Sequence, residues 1–391
     1  MKFVNQMIKK TIKTIYEKNR IVDNIIGALQ AKSHFLFLGH KNPDEDCIGS
    51  MVAFALIAGK FSKKADLYIS DSVHEHFQYL LDICSHNAIS YTGSPDYQND
   101  QVDAIVVCDT PKAAMIDASP RIQAMLKKKK ILKIEIDHHL GADSYYIGDG
   151  GYRLVTEATS SSELVGFIAL KLAKREDILR RYNIQNPLSR NVILSVLTGI
   201  VGDTNMGLYL KSKRQKRYYD IFSNLYNSML VKETTKDTNF MNKDEVYHEI
   251  QRLSKGEERC FQYINSKKKF SKFIGYAVLD RADMDYLTGE FDNDTIVSVT
   301  RSIADHLAEE SGRLGLVAYD DAKNANLVQF RLRRGQGFKA FDLRKVLGIF
   351  SISDGGGHEG AIGFRVDRSS ISDIHVFVAG LLTGIENAIG P

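Results

Sequence analysis

The sequence predicts an α/β fold, with a doubly wound parallel sheet followed by a second, smaller mixed α/β domain. Three short and mainly apolar stretches, at 35–38, 102–108 and 131–136, have the length of buried strands. Each run stops at polar residues that include an aspartate or a histidine. Stretches with the apolar spacing of helices lie between the runs, and strands that alternate with helices indicate a parallel sheet.

The elements of the first part follow one another as strand and helix. We expect strands at 35–38, 65–70, 102–108 and 131–136, and helices at 48–58, 74–83, 116–126, 160–172 and 191–200. Pro43 and the polar residues around it end the first strand, because proline cannot donate a backbone hydrogen bond to a strand ladder. Gly49 and Ser50 stand at the start of the helix that follows.

The second part mixes strands and helices over a shorter stretch. Strands are predicted at 273–279, 314–319, 327–332 and 361–366, and helices at 296–310 and 341–347. Residues 231–255 carry few core signals and predict a mostly helical connector between domains at 31–230 and 256–391. Residues 1–30 have apolar residues at helical spacing from Val4 to Leu29. They predict an amphipathic helix that packs on the domain or on a second copy of the chain, rather than on a membrane surface.

Composition narrows the class of protein. The 391 residues are 43% apolar and 26% charged, which fits a soluble globular protein of two domains. The net charge of +4 does not diagnose nucleic-acid binding, but it is compatible with an anionic substrate. There is no apolar run of about 18 residues and no signal-peptide pattern, so we expect neither a membrane span nor secretion.

The four cysteines form no CxxC pair and no regular spacing. Cys47 and Cys108 stand beside apolar residues, as thiols in a core do. Free core thiols favour a reducing environment, so we expect a cytoplasmic protein.

Residues able to bind a metal ion follow three of the four strands predicted in the first part. They are His40, Asp44 and Asp46 after the first strand, Asp109 after the third, and Asp137, His138 and His139 after the fourth. Ligands of a doubly wound sheet collect outside the carboxyl ends of its strands, so these side chains can converge. Asp203, which we place in a loop after the helix at 191–200, could join them.

So many carboxylates would raise one another's pKa unless cations neutralised them. Histidine with several aspartates and no thiolate suits Mn²⁺ or Mg²⁺ better than a structural zinc ion. Taken alone, an aspartate such as Asp109 or Asp203 is usually a turn or cap residue, and paired histidines are often ordinary surface residues. The agreement of three strand ends instead favours two metals, about 3.5–4 Å apart, that polarise a phosphoryl group and generate a hydroxide nucleophile.

A second candidate site lies nearer the C-terminus, at the run Asp-Gly-Gly-Gly-His of residues 354–358. Consecutive glycines let backbone amides approach an anion closely, and His358 could donate to a phosphate. Arg331 and Arg333 would share one face of an extended strand and could form a fork for a phosphate or a nucleotide. The structural alternatives are a flexible turn for the glycines and a solvated basic edge strand for the arginines.

Together these motifs resemble those of the DHH phosphoesterase family, with its DHH-associated C-terminal domain. The resemblance covers roughly 34–366 and implies a catalytic DHH domain at 31–230 and a substrate-binding DHH-associated domain at 256–391. The motifs are His40-x-Asn42-Pro43-Asp44-x-Asp46-x-x-Gly49-Ser50, Val107-Cys108-Asp109-Thr110, Asp137-His138-His139, Gly202-Asp203-Thr204 and Gly355-Gly356-Gly357-His358. The stretch 158–163 is similar to a segment rich in serine and threonine that follows the DHH motif in the family.

Carried over residue by residue, the resemblance implies two divalent cations, Mn²⁺ before Mg²⁺. The implied ligands are His40 and Asp44 for the first cation, Asp46, His138 and Asp203 for the second, and Asp109 as the bridge. The implied catalytic residues are His139 and Asp137, which orients the pair, and the implied substrate contacts are Arg333, Gly355, Gly356, Gly357 and His358. Glu45, Cys47 and the pair Asn205-Met206 depart from the family pattern without removing a ligand.

By this resemblance we expect hydrolysis of short oligonucleotides, or of linear or cyclic dinucleotides, to mononucleotides. The alternatives are a nucleoside 3′,5′-bisphosphate phosphatase, an exopolyphosphatase and, outside the enzymes, a nucleotide-binding sensor. An intact ligand set argues against a protein that only binds. The expected partners are a nucleotide or short single-stranded oligonucleotide and, in a homodimer, a second copy of the chain; no membrane is expected.

Overall fold

The computed structural model describes residues 7–70, 73, 75–141, 143–207, 209–210, 212–233, 244–246, 253–322, 324, 326–335 and 337–390. The chain divides into two compact units, Met1–Arg252 and Leu253–Pro391. Most of the connector predicted at 231–255 lies outside the described residues.

The first unit is built on a six-stranded sheet in which every neighbouring pair is parallel. Its strands β1 to β6 are His34–Leu38, Lys64–Tyr68, Ser90–Thr92, Ala104–Cys108, Leu132–Asp137 and Arg153–Val155. Their order across the sheet is β3-β2-β1-β4-β5-β6. This order reverses between β1 and β4, and the loops that follow strands at such a point diverge to leave a ligand-binding crevice.

Helices cover both faces of this sheet. They are α1 to α8 at Ile15–Ala31, Glu45–Lys60, Gln78–His86, Pro120–Leu126, Ser161–Leu172, Glu176–Arg181, Arg190–Thr204 and Lys213–Glu233. The larger core packs α1, α2, α5, α7 and α8 on one face, and the smaller core packs Ile122 and Met125 of α4 on the other. Burial on both faces explains why β1 and β4 read as unbroken apolar runs.

Two sequence predictions in this unit are wrong. The N-terminal helix begins only at Ile15, where Thr14 caps it by accepting a hydrogen bond from the Glu17 amide. Ile8, which lies before this helix, instead forms an antiparallel bridge with Tyr145, as an extended residue does. Asp203 is not in a loop, because α7 continues through it to Thr204.

The second unit has a six-stranded mixed sheet in the order β11-β12-β10-β9-β8-β7. Only β8 and β9 are paired in parallel. Strands β7 to β12 are Lys269–Phe270, Ile274–Leu279, Leu314–Asp320, Leu327–Arg334, Asp354–His358 and Ala361–Asp367. Helices α9 to α13 are Lys255–Asn265, Arg281–Glu290, Asn293–Ser311, Arg344–Ile349 and Ile374–Ile389.

One core of the second unit lies under α9, α10 and α11, and another lies under α12 and α13 on the opposite face. The predicted fold class, a doubly wound parallel sheet with a smaller mixed α/β domain, is confirmed. The glycine run at 354–358 is an edge strand, so the alternative of a flexible turn is wrong. All four cysteines are buried and unpaired. No helix among the described residues has both the length and the hydropathy to cross a membrane.

Candidate metal centre

Two groups of ligand-type side chains lie at the carboxyl edge of the parallel sheet. The first group is His40, Asp44 and Asp109, and the second is Asp46, His138 and Asp203. Within each group, the potential ligand atoms all lie within 4.8 Å of one another. The structure therefore brings together the residues that follow β1, β4 and β5, and adds one residue from the end of α7.

Asp109 stands between the two groups. Its Oδ2 lies 3.6 Å from His40 Nε2, and its Oδ1 lies 3.4 Å from His138 Nε2. The residue is buried, and its φ of +47° is left-handed, a conformation that costs a non-glycine residue of order 1–3 kcal/mol. Its own amide donates to the Ile136 carbonyl over 2.9 Å, so the neighbouring strand holds it in this conformation.

Asp44 and Asp46 are positioned by the start of α2. Asp44 is the N-cap of this helix, and its Oδ1 accepts a hydrogen bond from the Cys47 amide over 3.1 Å while lying 3.6 Å from His40 Nε2. It is therefore a helix cap and a member of the ligand group at once. Asp46 follows in the first turn and is fully buried.

The N-terminus of α5 holds Asp46. The amide of Ser161 donates to Asp46 Oδ2 over 2.6 Å, and the amide of Ser162 donates to Oδ1 over 2.8 Å. The hydroxyl of Ser161 also donates to Asp109 Oδ1 over 3.1 Å. These donors were not assigned a role from the sequence, although the serine-rich stretch at 160–162 was the available signal, because free helix amides are natural partners of an anion.

Hydrogen bonds set the orientation of two imidazole rings. His40 Nδ1 lies 2.8 Å from the Lys41 carbonyl, so Nδ1 carries the proton and Nε2 faces the carboxylates as a potential ligand. His139 Nδ1 donates to Asp137 Oδ1 over 2.8 Å, and the same oxygen accepts from the His139 amide over 3.2 Å. The charge and hydrogen bond of His139 lower the pKa of Asp137, although burial opposes its ionisation.

The ligand groups fit a divalent cation. Burial and the charge of Asp109 raise the pKa of Asp46 to about 8, and burial together with Asp46 raises the pKa of Asp203 well above its usual value. Burial also opposes ionisation of Asp109, but hydrogen bonds from His138 and His40 hold its pKa well below the usual value. Carboxylates that repel one another in this way, with imidazole nitrogens among them, are the donor set of a bound cation.

Asp203 gives independent support for that fit. Its Oδ2 is buried and accepts no hydrogen bond from the described residues, although His138 Nε2 lies 3.2 Å away. The residue also lies in the last turn of α7, where the helix dipole disfavours a negative charge. An aspartate that only caps a helix is not expected in a last turn, whereas an aspartate that binds a cation can lie there.

Two departures from the expected motif have local explanations. A Cβ atom added to Gly39 would lie 2.1 Å from Cys47 Sγ, so the Cys47 thiol packs beneath the end of β1. Burial raises the pKa of this thiol, which keeps it out of the thiolate form that binds metals. The Glu45 side chain packs on Gly202, because a Cβ atom there would lie 2.5 Å from Glu45 Cβ.

The candidate substrate residues of the second unit lie on neighbouring strands. Arg333 of β10 and His358 of β11 both pair with Ala361 of β12, one from each side. The guanidinium of Arg333 donates from Nη1 to the carbonyls of Leu332 and Ile362, each over 3.2 Å. Gly355, Gly356 and Gly357 lie beside His358 on the exposed edge strand.

Arg331 lies two residues before Arg333 on β10. It lies over Gly363, where an added Cβ atom would be 2.4 Å from Arg331 Nη1. The predicted pair of arginines thus shares a strand, but Arg333 is bound to backbone carbonyls of its own sheet and Arg331 is packed on a glycine.

Comparisons with known proteins agree with this architecture. The sequence model of the DHH family, N-terminal domain, matches residues 34–200. No curated protein matches the chain at a significant level. An exopolyphosphatase-related protein from Bacteroides fragilis has a similar structure, with a TM-score of 0.66, 16% sequence identity, and a match that covers 95% of this chain and 96% of that chain.

Two further solved structures are similar to a lower degree. A pGpG-specific phosphodiesterase from Vibrio cholerae has a TM-score of 0.39 and 13% identity over 92% of this chain and 100% of that chain. RecJ in complex with Mn²⁺, from Thermus thermophilus, has a TM-score of 0.46 and 12% identity over 98% of this chain and 56% of that chain. The family match and the ligand groups after β1, β4 and β5 confirm the resemblance, and residues 34–200 are a DHH family N-terminal domain.

Proposed function

We propose that this DHH protein is a phosphodiesterase that uses two divalent cations to hydrolyse short oligonucleotides, or linear or cyclic dinucleotides, to mononucleotides. The observation that carries the proposal is the position of Asp109, which presents one oxygen to His40 and the other to His138. This is the arrangement expected of a carboxylate that bridges two ions. Members of the DHH family are phosphoesterases, which supports the class of reaction.

We assign the two ligand groups to one cation each, with Asp109 shared between them. Imidazole nitrogen beside several carboxylates and no thiolate favours Mn²⁺, with Mg²⁺ as the second choice. When bound, such a pair of cations polarises a phosphoryl group and activates water. The amides of Ser161 and Ser162 would keep Asp46 oriented toward its ion, because they hold both of its oxygens.

We assign contact with the reacting phosphate to His139. Its side chain is 28% exposed, against 5% for His138, so a substrate can reach it. Its Nδ1 lies 3.5 Å from Asp109 Oδ1, which places the ring beside both ligand groups. Asp137 fixes the tautomer by accepting the Nδ1 proton, and the ring can then present Nε2 to a phosphate oxygen or a leaving group.

The second unit would supply the substrate specificity, as a DHH-associated domain. The edge strand at Asp354–His358 is exposed along its whole length, and among the described residues only the chain neighbours of Gly356 lie within 4 Å of a Cβ built on it. A phosphate could therefore approach this backbone closely. Such an anion-binding strand supports a nucleotide substrate, while a bisphosphate nucleotide or a polyphosphate is the alternative.

A nucleotide-binding sensor is the alternative outside the enzymes. The mutual repulsion of the buried Asp46 and Asp203 argues against it, because a protein that only binds has no need for such a costly arrangement of charge.

A substrate panel tests the proposal. Purified protein with Mn²⁺ would be offered pApA, cyclic di-AMP, a nucleoside 3′,5′-bisphosphate, polyphosphate and short RNA, each with and without a chelator. We expect Mn²⁺-dependent release of AMP from pApA, and preferential turnover of bisphosphate or polyphosphate would move the assignment to the alternative enzymes. Tight binding of a di- or oligonucleotide without turnover of any substrate would establish the sensor instead.

A further inference from the structure

A short N-terminal segment, residues 7–11, lies across the loops that follow β5. The Lys9 amide donates to the Ser144 carbonyl over 2.9 Å, and the Tyr146 amide donates to the Met7 carbonyl over 3.1 Å. The hydroxyls of Thr11 and Thr156 are 2.9 Å apart. These contacts fix the segment in one register against the loop that follows the DHH motif.

Lys9 points from this segment into the protein. Its Nζ lies 2.7 Å from the Thr110 carbonyl, 2.5 Å from Asp137 Oδ2 and 2.8 Å from Glu135 Oε1. The side chains of Lys9, Glu135 and Asp137 are all 0% exposed. Two of the three N–H donors of the ammonium group donate hydrogen bonds, to the Thr110 carbonyl and to Asp137 Oδ2, and Glu135 Oε1 is an ion-pair partner.

The charges explain why a lysine can be buried at this place. A buried ammonium is very costly unless it is paired and hydrogen-bonded, and Lys9 meets two carboxylates and one carbonyl. Glu135 is held independently, because its Oε2 accepts from the amides of Ile147 and Gly148. Asp137, in contrast, accepts a hydrogen bond from Lys9 at Oδ2 and a hydrogen bond from His139 at Oδ1.

The contacts of Lys9 connect two loops of the metal centre. Thr110 directly follows Asp109, and Asp137 directly precedes His138. Fixing Asp137 Oδ2 also fixes the plane of the carboxylate, and with it the direction of the hydrogen bond from His139 to Oδ1.

We infer that Lys9 is a positioning residue for the reaction, which holds the Asp137 carboxylate so that it orients His139. The inference rests on the proposed function, since it concerns the same site. The competing explanation is that Lys9 only neutralises Glu135. The two explanations differ in what happens when Lys9 and Glu135 lose their charges together.

The decisive variant is therefore the double substitution Lys9→Met and Glu135→Gln, which removes one buried charge of each sign and nearly preserves volume. Glu135→Gln alone is the first control. The second control is Lys133→Met, because Lys133 is a buried lysine on the strand of Glu135, and its Nζ donates to the Lys128 carbonyl. If Lys9 positions Asp137, kcat of the double variant should be about 10–100-fold lower than kcat of Glu135→Gln, which is the usual cost of losing a residue that orients another residue of the site. KM should change less than about threefold. If kcat of the two variants agrees within about twofold, the inference is overturned.

A second readout needs no activity. The Nδ1 proton of His139, identified by its loss in His139→Asn, should give a protected downfield NMR signal in metal-free wild type, in Glu135→Gln and in Lys133→Met. It should disappear from the double variant. Persistence there, or absence from the wild type, overturns the inference. If the wild type hydrolyses nothing in the substrate panel, the proposed function fails while this signal still decides the role of Lys9.

Discussion

Asp46 of α2 and Ser161 of α5 are joined by a hydrogen bond of 2.6 Å from the Ser161 amide to Asp46 Oδ2. A proposed metal ligand on one helix is thus oriented by the N-terminus of another. The geometry of the candidate metal centre consequently depends on how closely α2, α5 and α7 pack, and a glycine of α7 lies where the three helices meet.

That glycine is Gly199. A Cβ atom there would lie 2.1 Å from Ser162 Oγ and 2.6 Å from Asp46 Oδ1. We expect Gly199→Ala to displace Asp46 and to weaken Mn²⁺ affinity and activity by about 10–100-fold. Isothermal titration with Mn²⁺ checks this.

Gly27→Ala is the matched control for Gly199→Ala, because Gly27 also lies within a helix, and beyond the local backbone of that helix no described residue comes within 4 Å of the added Cβ. It should stabilise the protein by about 0.5–1 kcal/mol and leave Mn²⁺ binding unchanged. A Gly199→Ala protein that binds Mn²⁺ as tightly as the control would contradict the packing explanation.

Asp109→Asn should abolish catalysis while the protein stays folded. The substitution removes the charge shared by both ligand groups, and cations contribute several kcal/mol to phosphoryl transfer, so kcat should fall by about 10³-fold or more. Steady-state hydrolysis of pApA measures the loss. Asp66→Asn is the control, since Asp66 is tied to His34 and Tyr97 away from the ligand groups. An active Asp109→Asn enzyme would refute the bridging role.

The metal-free protein should lose stability as pH rises from about 4 to about 8. Burial and Asp109 raise the pKa of Asp46 from its usual 3.8 to about 8, so the folded state binds this proton more tightly than the unfolded state. The stabilisation is complete below the unfolded pKa and disappears as pH passes the folded pKa; Asp203 acts in the same direction.

Urea unfolding at several pH values, with and without Mn²⁺, checks this pH dependence. Mn²⁺ should restore stability most at pH 8, because it favours the ionised carboxylates. Asp46→Asn should flatten the metal-free profile. A metal-free protein whose stability stays level or increases across this window would show that the carboxylates do not repel one another as described.

Gly356→Ala tests the edge strand of the second unit. Apart from its neighbours in the chain, no described residue has an atom within 4 Å of the added Cβ, so the stability should not fall. If a substrate phosphate approaches this backbone, KM should rise about tenfold or more while kcat changes little. Gly380→Ala in α13 is the control and should leave KM unchanged, because the added Cβ there also meets no described residue outside the local helix backbone. An unaltered KM in Gly356→Ala would remove this strand from the substrate site.

Much of the first unit could be predicted because its central strands are buried on both faces. Residues 35–38 and 104–108 lie within continuous apolar runs, and the polar residues that follow them mark the carboxyl edge of the sheet. The short edge strand β6, Arg153–Val155, has no such run and was missed. The position of Asp203 was misjudged because a terminal Gly-Asp-Thr resembles the end of a helix, and only packing shows that α7 continues.

The residues around the candidate metal centre were harder to predict from the sequence. Lys9 stands beside another lysine, between apolar residues whose helical spacing would place it on the polar face, and nothing local indicates that it is buried. The sequence does give an indication at Glu135, the partner of Lys9. Glu135 lies between Ile134 and Ile136 in a buried strand, and a charge in such a place needs a counter-charge. The identity of that counter-charge depends on tertiary contacts far from it in sequence.

In the proposed centre, two cations share Asp109. Anomalous diffraction at the manganese edge, from crystals of the protein grown with Mn²⁺, tests it most directly. The proposed centre predicts two anomalous peaks about 3.5–4 Å apart, each bonded to a different oxygen of Asp109, with His40 beside one and His138 beside the other. A single peak, or two peaks that do not share Asp109, would contradict the claim.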